Sequence, residues 1–198
     1  MRPTAKTRKR RRRRRLVSLL IYVVIVFGLA WFFESQGTTT IVFVRHADVD
    51  QPESPAVDVP LNRTGAARAT LLADFLENFD VVAGVDAIYV DSTLRTQQTA
   101  APVAKRLRLE PAIADHDQVV TFMKTVLFEH KRQIVLIVTQ RDDIAPLVEE
   151  LHGSKNLAEI EPDDYENVYI VSIPWFGKVK TLQAPYANGW NPAALTSP

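Results

Sequence analysis

The 198-residue chain carries 24 Lys/Arg against 23 Asp/Glu, a formal net charge of +1, and contains no cysteine. Disulfides, thiolate catalysis and cysteine metal sites are excluded; with four histidines (His46, His116, His130 and His152) a zinc site would need carboxylates as well, and no His-Glu-x-x-His or similar spacing appears. The near-neutral total hides an asymmetry: residues 1–33 hold ten basic and no acidic residues, which leaves 14 basic and 23 acidic residues, a net of −9, in the rest.

Taken in chain order, Lys6 to Arg15 is almost wholly basic and ends in six consecutive arginines. Such a run cannot pack and is expected to be a disordered tail over 1–15. Leu16 to Phe33 then carries no charge. Eighteen residues rise roughly 27 Å as a helix, close to a bilayer core, which predicts a transmembrane anchor over 16–33. Trp31, Phe32 and Phe33 stand at its far end, where interfacial aromatics belong. The arginines should remain cytoplasmic and touch anionic lipid, with the remainder on the outer, periplasmic side of the inner membrane. A cleaved signal peptide, cut near Gly28-Leu29-Ala30, is the rival reading. A basic run can also bind RNA, but placed directly before an apolar span it orients that span. The acidic body argues against a nucleic-acid partner.

Glu34 to Thr39 is polar and reads as a linker, and residues 40–187 as one domain. Thr40 to Val44 is a β-branched apolar run, a buried strand, and Pro52, Pro55 and Pro60 mark a loop. From Gly65 to Phe79 apolar residues recur at helical spacing. Asp86 to Val90 is a second strand, and Thr96 to Leu107 a helix that Pro102 should kink or restart. A third helix follows through Val119, Met123 and Val126. Ile134 to Val138 is apolar at every residue, as in a strand buried on both faces. A helix over Ile144 to Leu151, stopped by Gly153, and late strands over 168–173 and 179–182 complete the series. Residues 188–198 read as an irregular tail. The alternation predicts an α/β fold with a mostly parallel sheet flanked by helices.

Ligands of an open α/β sheet bind beyond the carboxyl ends of its strands. Arg45-His46 follows the first strand, Arg95 the second, and Gln140-Arg141-Asp142 the all-apolar one. Arginines distant in sequence thus converge on one edge around a histidine. Arginine suits bidentate phosphate recognition, and a histidine among cations can attack phosphorus.

Val44-Arg45-His46-Ala47, Leu61-Asn62-Arg63-Thr64-Gly65-Ala66-Ala67-Arg68-Ala69 and Ile88 to Ala100, which ends in Arg95-Thr96-Gln97-Gln98-Thr99-Ala100, resemble three ordered motifs of the histidine phosphatase (phosphoglycerate-mutase-like) superfamily. The segment from Ile134 to Val148 resembles the strand and helix that follow. The resemblance implies that His46 carries the phosphoryl group while Arg45 and Arg95 hold its oxygens, that water then releases phosphate, and that no metal or other cofactor is required. Two positions depart from the pattern. Gln140 stands at the family's second catalytic histidine, where it can donate a hydrogen bond but carry no charge. Arg141, beside it, could restore that charge as a substrate-binding residue. Asp91 stands where the family has serine, with Ser92 one place later. The general acid is left open among Asp48, Glu110, Asp115 and Asp117, with His116 as a substitute; His130 and His152 read as solvated. The expected activity is hydrolysis of a small phosphoester, a phosphosugar or an envelope phosphate. The alternatives are a degenerate member that binds a phosphorylated ligand or partner without turnover, and a structural envelope protein.

Overall fold

Apolar runs and amphipathic stretches alternate in the sequence, and the strands and helices alternate with them. The computed structural model describes residues 5–34, 37–50, 58–77, 84–114, 118–154, 157 and 159–187. They fall into two units, Met1–Gly37 and Thr38–Pro198.

The first unit is helix α1, Ala5–Glu34. It contains the whole basic run, where a disordered tail was expected. Arginine and lysine are good helix formers, and extending an existing helix avoids the nucleation step. Among the described residues no helix is long and apolar enough to cross a membrane. The expected span over 16–33 thus gains no support here. Trp31, Phe32 and Phe33 lie outside the described side chains.

The second unit runs β1 Thr38–Arg45, α2 Arg63–Glu77, β2 Ala87–Val90, α3 Leu94–Leu107, β3 Ala112–Ile113, α4 Val119–Glu129, β4 Ile134–Thr139, α5 Arg141–Glu150, β5 Asn167–Pro174 and β6 Lys180–Pro185. The sheet order is β3-β2-β4-β1-β5-β6. Strands β1 to β4 are mutually parallel, β5 is antiparallel to β1, and β6 is antiparallel to β5. The sheet is mixed and mostly parallel, as expected.

Because side chains alternate along a strand, each central strand feeds two cores. Val42, Val44, Ile88, Val90, Leu136 and Val138 pack with Leu72 and Leu76 of α2 and Val103 of α3. Ile41, Phe43, Val135 and Ile137 pack with Met123 and Val126 of α4 and Ile144 and Leu147 of α5. Most of these side chains are fully buried, each worth about 1.5–3 kcal/mol relative to exposure. Two-sided burial is why β4 is apolar at every position.

Several details differ from expectation. Strand β1 begins at Thr38, inside the expected linker. Helix α3 is one helix containing Pro102. Helix α5 starts at Arg141, where Asp142 and Asp143 suit the positive end of a helix. Its end is set by His152, which takes the left-handed conformation (φ 56). Gly153 serves close approach instead: a Cβ there would lie 2.8 Å from the Val148 carbonyl oxygen. Strand β3, two residues long, is too short to carry a periodic signal. Phe79, Pro52, Pro55 and the tail fall outside the described residues.

Candidate active site

Strands β1 and β4 lie side by side in the middle of the sheet, so their carboxyl ends bring residues 45–46 next to residues 139–140. The pairing continues one residue beyond β1: the His46 amide donates to the Thr139 carbonyl oxygen (3.0 Å). His46 is buried, 3% exposed. Its Nδ1 lies 2.9 Å from the Ala47 carbonyl oxygen. A carbonyl can only accept, so Nδ1 carries the proton and Nε2 keeps its lone pair. Burial pushes the imidazole pKa down to about 4, opposed by the Ala47 hydrogen bond and assisted by the charges of Arg95 and Arg45. At neutral pH His46 is an uncharged ring with one fixed tautomer.

The loop after β1 is pinned from two helices. The Ala47 amide donates to Thr99 Oγ1 (2.9 Å), and that hydroxyl donates to the Arg95 carbonyl oxygen (2.7 Å), which ties this loop to the first turns of α3. From α2, Gly65 presses against the same loop: a Cβ on Gly65 would meet the Asp48 carbonyl oxygen at 2.2 Å. No side chain fits there. Asn62 caps α2 by accepting from the Gly65 amide (2.8 Å), and its own amide donates to Asp48 O (3.1 Å).

Arg45 and Arg95 are both buried, at 6% and 8% exposure. Arg45 donates from one terminal nitrogen to the carbonyl oxygens of Glu161 (3.2 Å), Pro162 (2.8 Å) and Asp164 (3.1 Å), and its guanidinium stacks 3.9 Å above the Tyr165 ring. Nonetheless the Nε of Arg45 and the Nε of Arg95 are buried donors without a partner among the described residues. Leaving a buried donor unmade costs about 1–3 kcal/mol, more for a charged group, so two beside one neutral histidine call for an anion.

Gln140 stands at the N-cap position of α5 without a side-chain capping bond, and its side chain faces the start of α3. Its Nε2 donates to Asp91 Oδ2 and approaches Thr93 Oγ1 at 3.3 Å. The other Asp91 oxygen accepts from the Thr93 amide (2.8 Å), the Thr93 hydroxyl (2.6 Å) and the Thr96 hydroxyl (2.6 Å). Burial alone would raise the Asp91 pKa, but these hydrogen bonds outweigh it and hold the carboxyl below its ordinary value. Asp91 therefore stays ionised, and its charge reaches His46.

The remaining expected residues are distributed as follows. Arg141 opens α5 and donates to Asp142 Oδ1 (2.9 Å) while its charge acts on Arg45. Asp48 is committed to Arg68, which donates to both its oxygens (2.6 and 3.3 Å) and lies 3.5 Å from Glu166. Asp48 is thus engaged by Arg68 on both carboxylate oxygens. Glu110 and Ser92 are exposed; Asp115, His116 and Asp117 lie outside the described residues. His152 is exposed as expected. His130 is not simply solvated: it sits 2.9 Å from the Tyr89 hydroxyl and 2.7 Å from Gln133 Oε1. Among the described residues no group of three His, Asp or Glu could hold a metal ion.

Sequence reasoning missed Thr99, Tyr165 and the carbonyls of residues 161–164. Thr99 lies within a quoted motif, so its position was visible although its hydrogen bonds were not. The stretch 161–164 carries no periodicity and acts through backbone oxygens, which every residue type supplies.

A sequence model of the histidine phosphatase superfamily (branch 1) matches residues 41–117. No curated protein matches the sequence significantly. Among solved structures, the protein histidine phosphatase SixA complexed with tungstate is 20% identical, with 75% of this chain and 98% of that one covered at a TM-score of 0.59. The mycobacterial glucosyl-3-phosphoglycerate phosphatase is 12% identical, covering 75% and 98%, at 0.57. A phosphoserine phosphatase mutant from Entamoeba histolytica in complex with phosphoserine is 11% identical, covering 70% and 95%, at 0.51. The domain thus shares the fold of these solved phosphatases.

Proposed function

We propose that this chain is a membrane-anchored histidine phosphatase that hydrolyses a phosphoester through a phosphohistidine on His46. The observation that carries the reading is the pair of unpartnered Nε donors of Arg45 and Arg95 beside a buried, neutral His46. In the first step the Nε2 lone pair forms an N–P bond as the bond from phosphorus to the leaving oxygen breaks. The arginine donors stabilise charge on the remaining phosphoryl oxygens. In the second step water forms a P–O bond, the N–P bond breaks, and inorganic phosphate and a proton leave. The imidazole returns to its starting tautomer because Nδ1–H stays on the Ala47 carbonyl.

A second reading, phosphate binding without turnover, is favoured by the tie between Gln140 and Asp91. One experiment separates the two. The full-length protein in detergent is incubated with phosphosugars, phosphoserine and phosphohistidine peptides. Free phosphate together with an acid-labile phosphoryl group on His46 is the expected result. Vanadate binding with neither product would establish the binding-only reading.

Anchoring to the inner membrane, with the domain outside, is supported by the uncharged run 16–33 and its exposed apolar side chains within α1, such as Leu20 (66%) and Phe27 (72%). The adjoining arginines suit anionic lipid. A reporter fused after Pro198 should be exported and stay with membranes through a high-salt wash. A released protein beginning near Trp31 would make the segment a signal peptide, and a cytoplasmic reporter would reverse the topology.

A further inference from the structure

We infer that Asp91 is a positioning residue that withholds the Gln140 carboxamide from the phosphoryl site. The inference rests on the phosphoryl site proposed above and concerns its strength. A primary amide has two N–H donors and one acceptor oxygen. One Gln140 donor is given to Asp91 Oδ2 and the other faces Thr93 Oγ1. Thr93 gives its own proton to Asp91, so its oxygen is free to accept.

The orientation of the amide is dictated rather than arbitrary. An ionised carboxylate accepts only, and turning Gln140 over would set its carbonyl oxygen against a negative charge. Asp91 itself is fixed by three donors from Thr93 and Thr96, at the mouth of α3. For Gln140 to reach a phosphoryl oxygen it must leave an anion it already contacts, so the exchange gains little. Asp91 also places a negative charge near His46, opposite in effect to the arginines. The two departures from the family pattern are therefore one device: the carboxylate at 91 occupies the amide at 140.

The test measures orthovanadate affinity of the full-length protein in detergent. Gln140→Leu should change it less than about 3-fold, because the amide is not offered to the ligand. Asp91→Ser should tighten binding about 10-fold, the low end for one charge-assisted hydrogen bond. Most of that gain should be lost in the Asp91→Ser, Gln140→Leu double variant, where only the removal of the Asp91 charge remains. A loss of 10-fold or more in Gln140→Leu would show that the amide already serves the ligand and would overturn the inference. So would a gain in Asp91→Ser that persists undiminished in the double variant, since charge alone would then explain it. Should Asp91→Ser fail to fold, Asp91→Asn keeps an acceptor for the Thr93 amide, and the Gln140→Leu result decides independently. A wild type that binds no vanadate removes the phosphoryl site and this inference together. Vanadate binding that is lost in Arg95→Ala and equally in Gln140→Leu removes this inference alone.

Discussion

Replacing His46 with alanine should reduce turnover at least on the order of 10⁴-fold, the scale seen when a covalent nucleophile is deleted. No other described imidazole is held at the strand ends beside Arg45 and Arg95. The pH behaviour gives a second signature. With its pKa pushed down to about 4, His46 stays neutral throughout the mildly acidic range, so the acid limb of kcat/KM should fall near pH 4, not near 6.5. The same shift affects stability. Between these values the unfolded chain takes up a proton that folded His46 refuses. Stability therefore declines as pH drops from about 6.5 to 4, by on the order of 3 kcal/mol from this group. In His46→Ala that contribution disappears, and denaturation midpoints should depend less steeply on pH across the window. Undiminished activity in the variant would mean that another group attacks phosphorus.

Arg95→Ala should weaken vanadate binding by about 10–150-fold, the worth of a charged hydrogen bond to an anion. Its Nε is a buried donor with no partner among the described residues, so the ligand loses most. Arg45→Ala should weaken binding comparably and also destabilise the fold. Arg45 holds three carbonyl oxygens between Glu161 and Asp164 and lies on Tyr165. Thermal denaturation separates the two: Arg45→Ala should melt several degrees lower than Arg95→Ala. Vanadate binding unaffected in both variants would dissolve the common site.

The sequence made the central elements legible because their physics is local. Ile134 to Val138 is apolar throughout, and only a strand covered on both faces requires that. His46, Arg45 and Arg95 could be placed at one edge because strand ends converge in this fold class. Gln140 was visible as a departure, yet its partner was not. Asp91 lies in another loop, and nothing in spacing tells that its carboxylate meets the amide. Read singly, Gln140 is a donor available to phosphate and Asp91 a stray charge; only their contact makes one cancel the other. The partner of Asp48 was hidden for a similar reason. Asp48 is near His46 in sequence, but its carboxylate belongs to Arg68, from a helix whose apolar periodicity gives no hint of a buried cation.

The order of strands has a consequence for biosynthesis. Strand β1 leads into His46 at its end, and its two neighbours in the sheet are β4 and β5, both far later in the chain. As the polypeptide leaves the ribosome, Thr38–Arg45 emerges with both edges unpaired. Its second neighbour is complete only roughly 130 residues later, about 6–25 s at ordinary rates of synthesis. During that interval a β-branched, uncharged segment, Thr-Thr-Thr-Ile-Val-Phe-Val, is exposed with the features that favour intermolecular strand pairing. His46 is thus translated early, and the strand that positions it is flanked on both sides only late. Truncated chains ending before Pro174 should be the species that aggregate and call on chaperones.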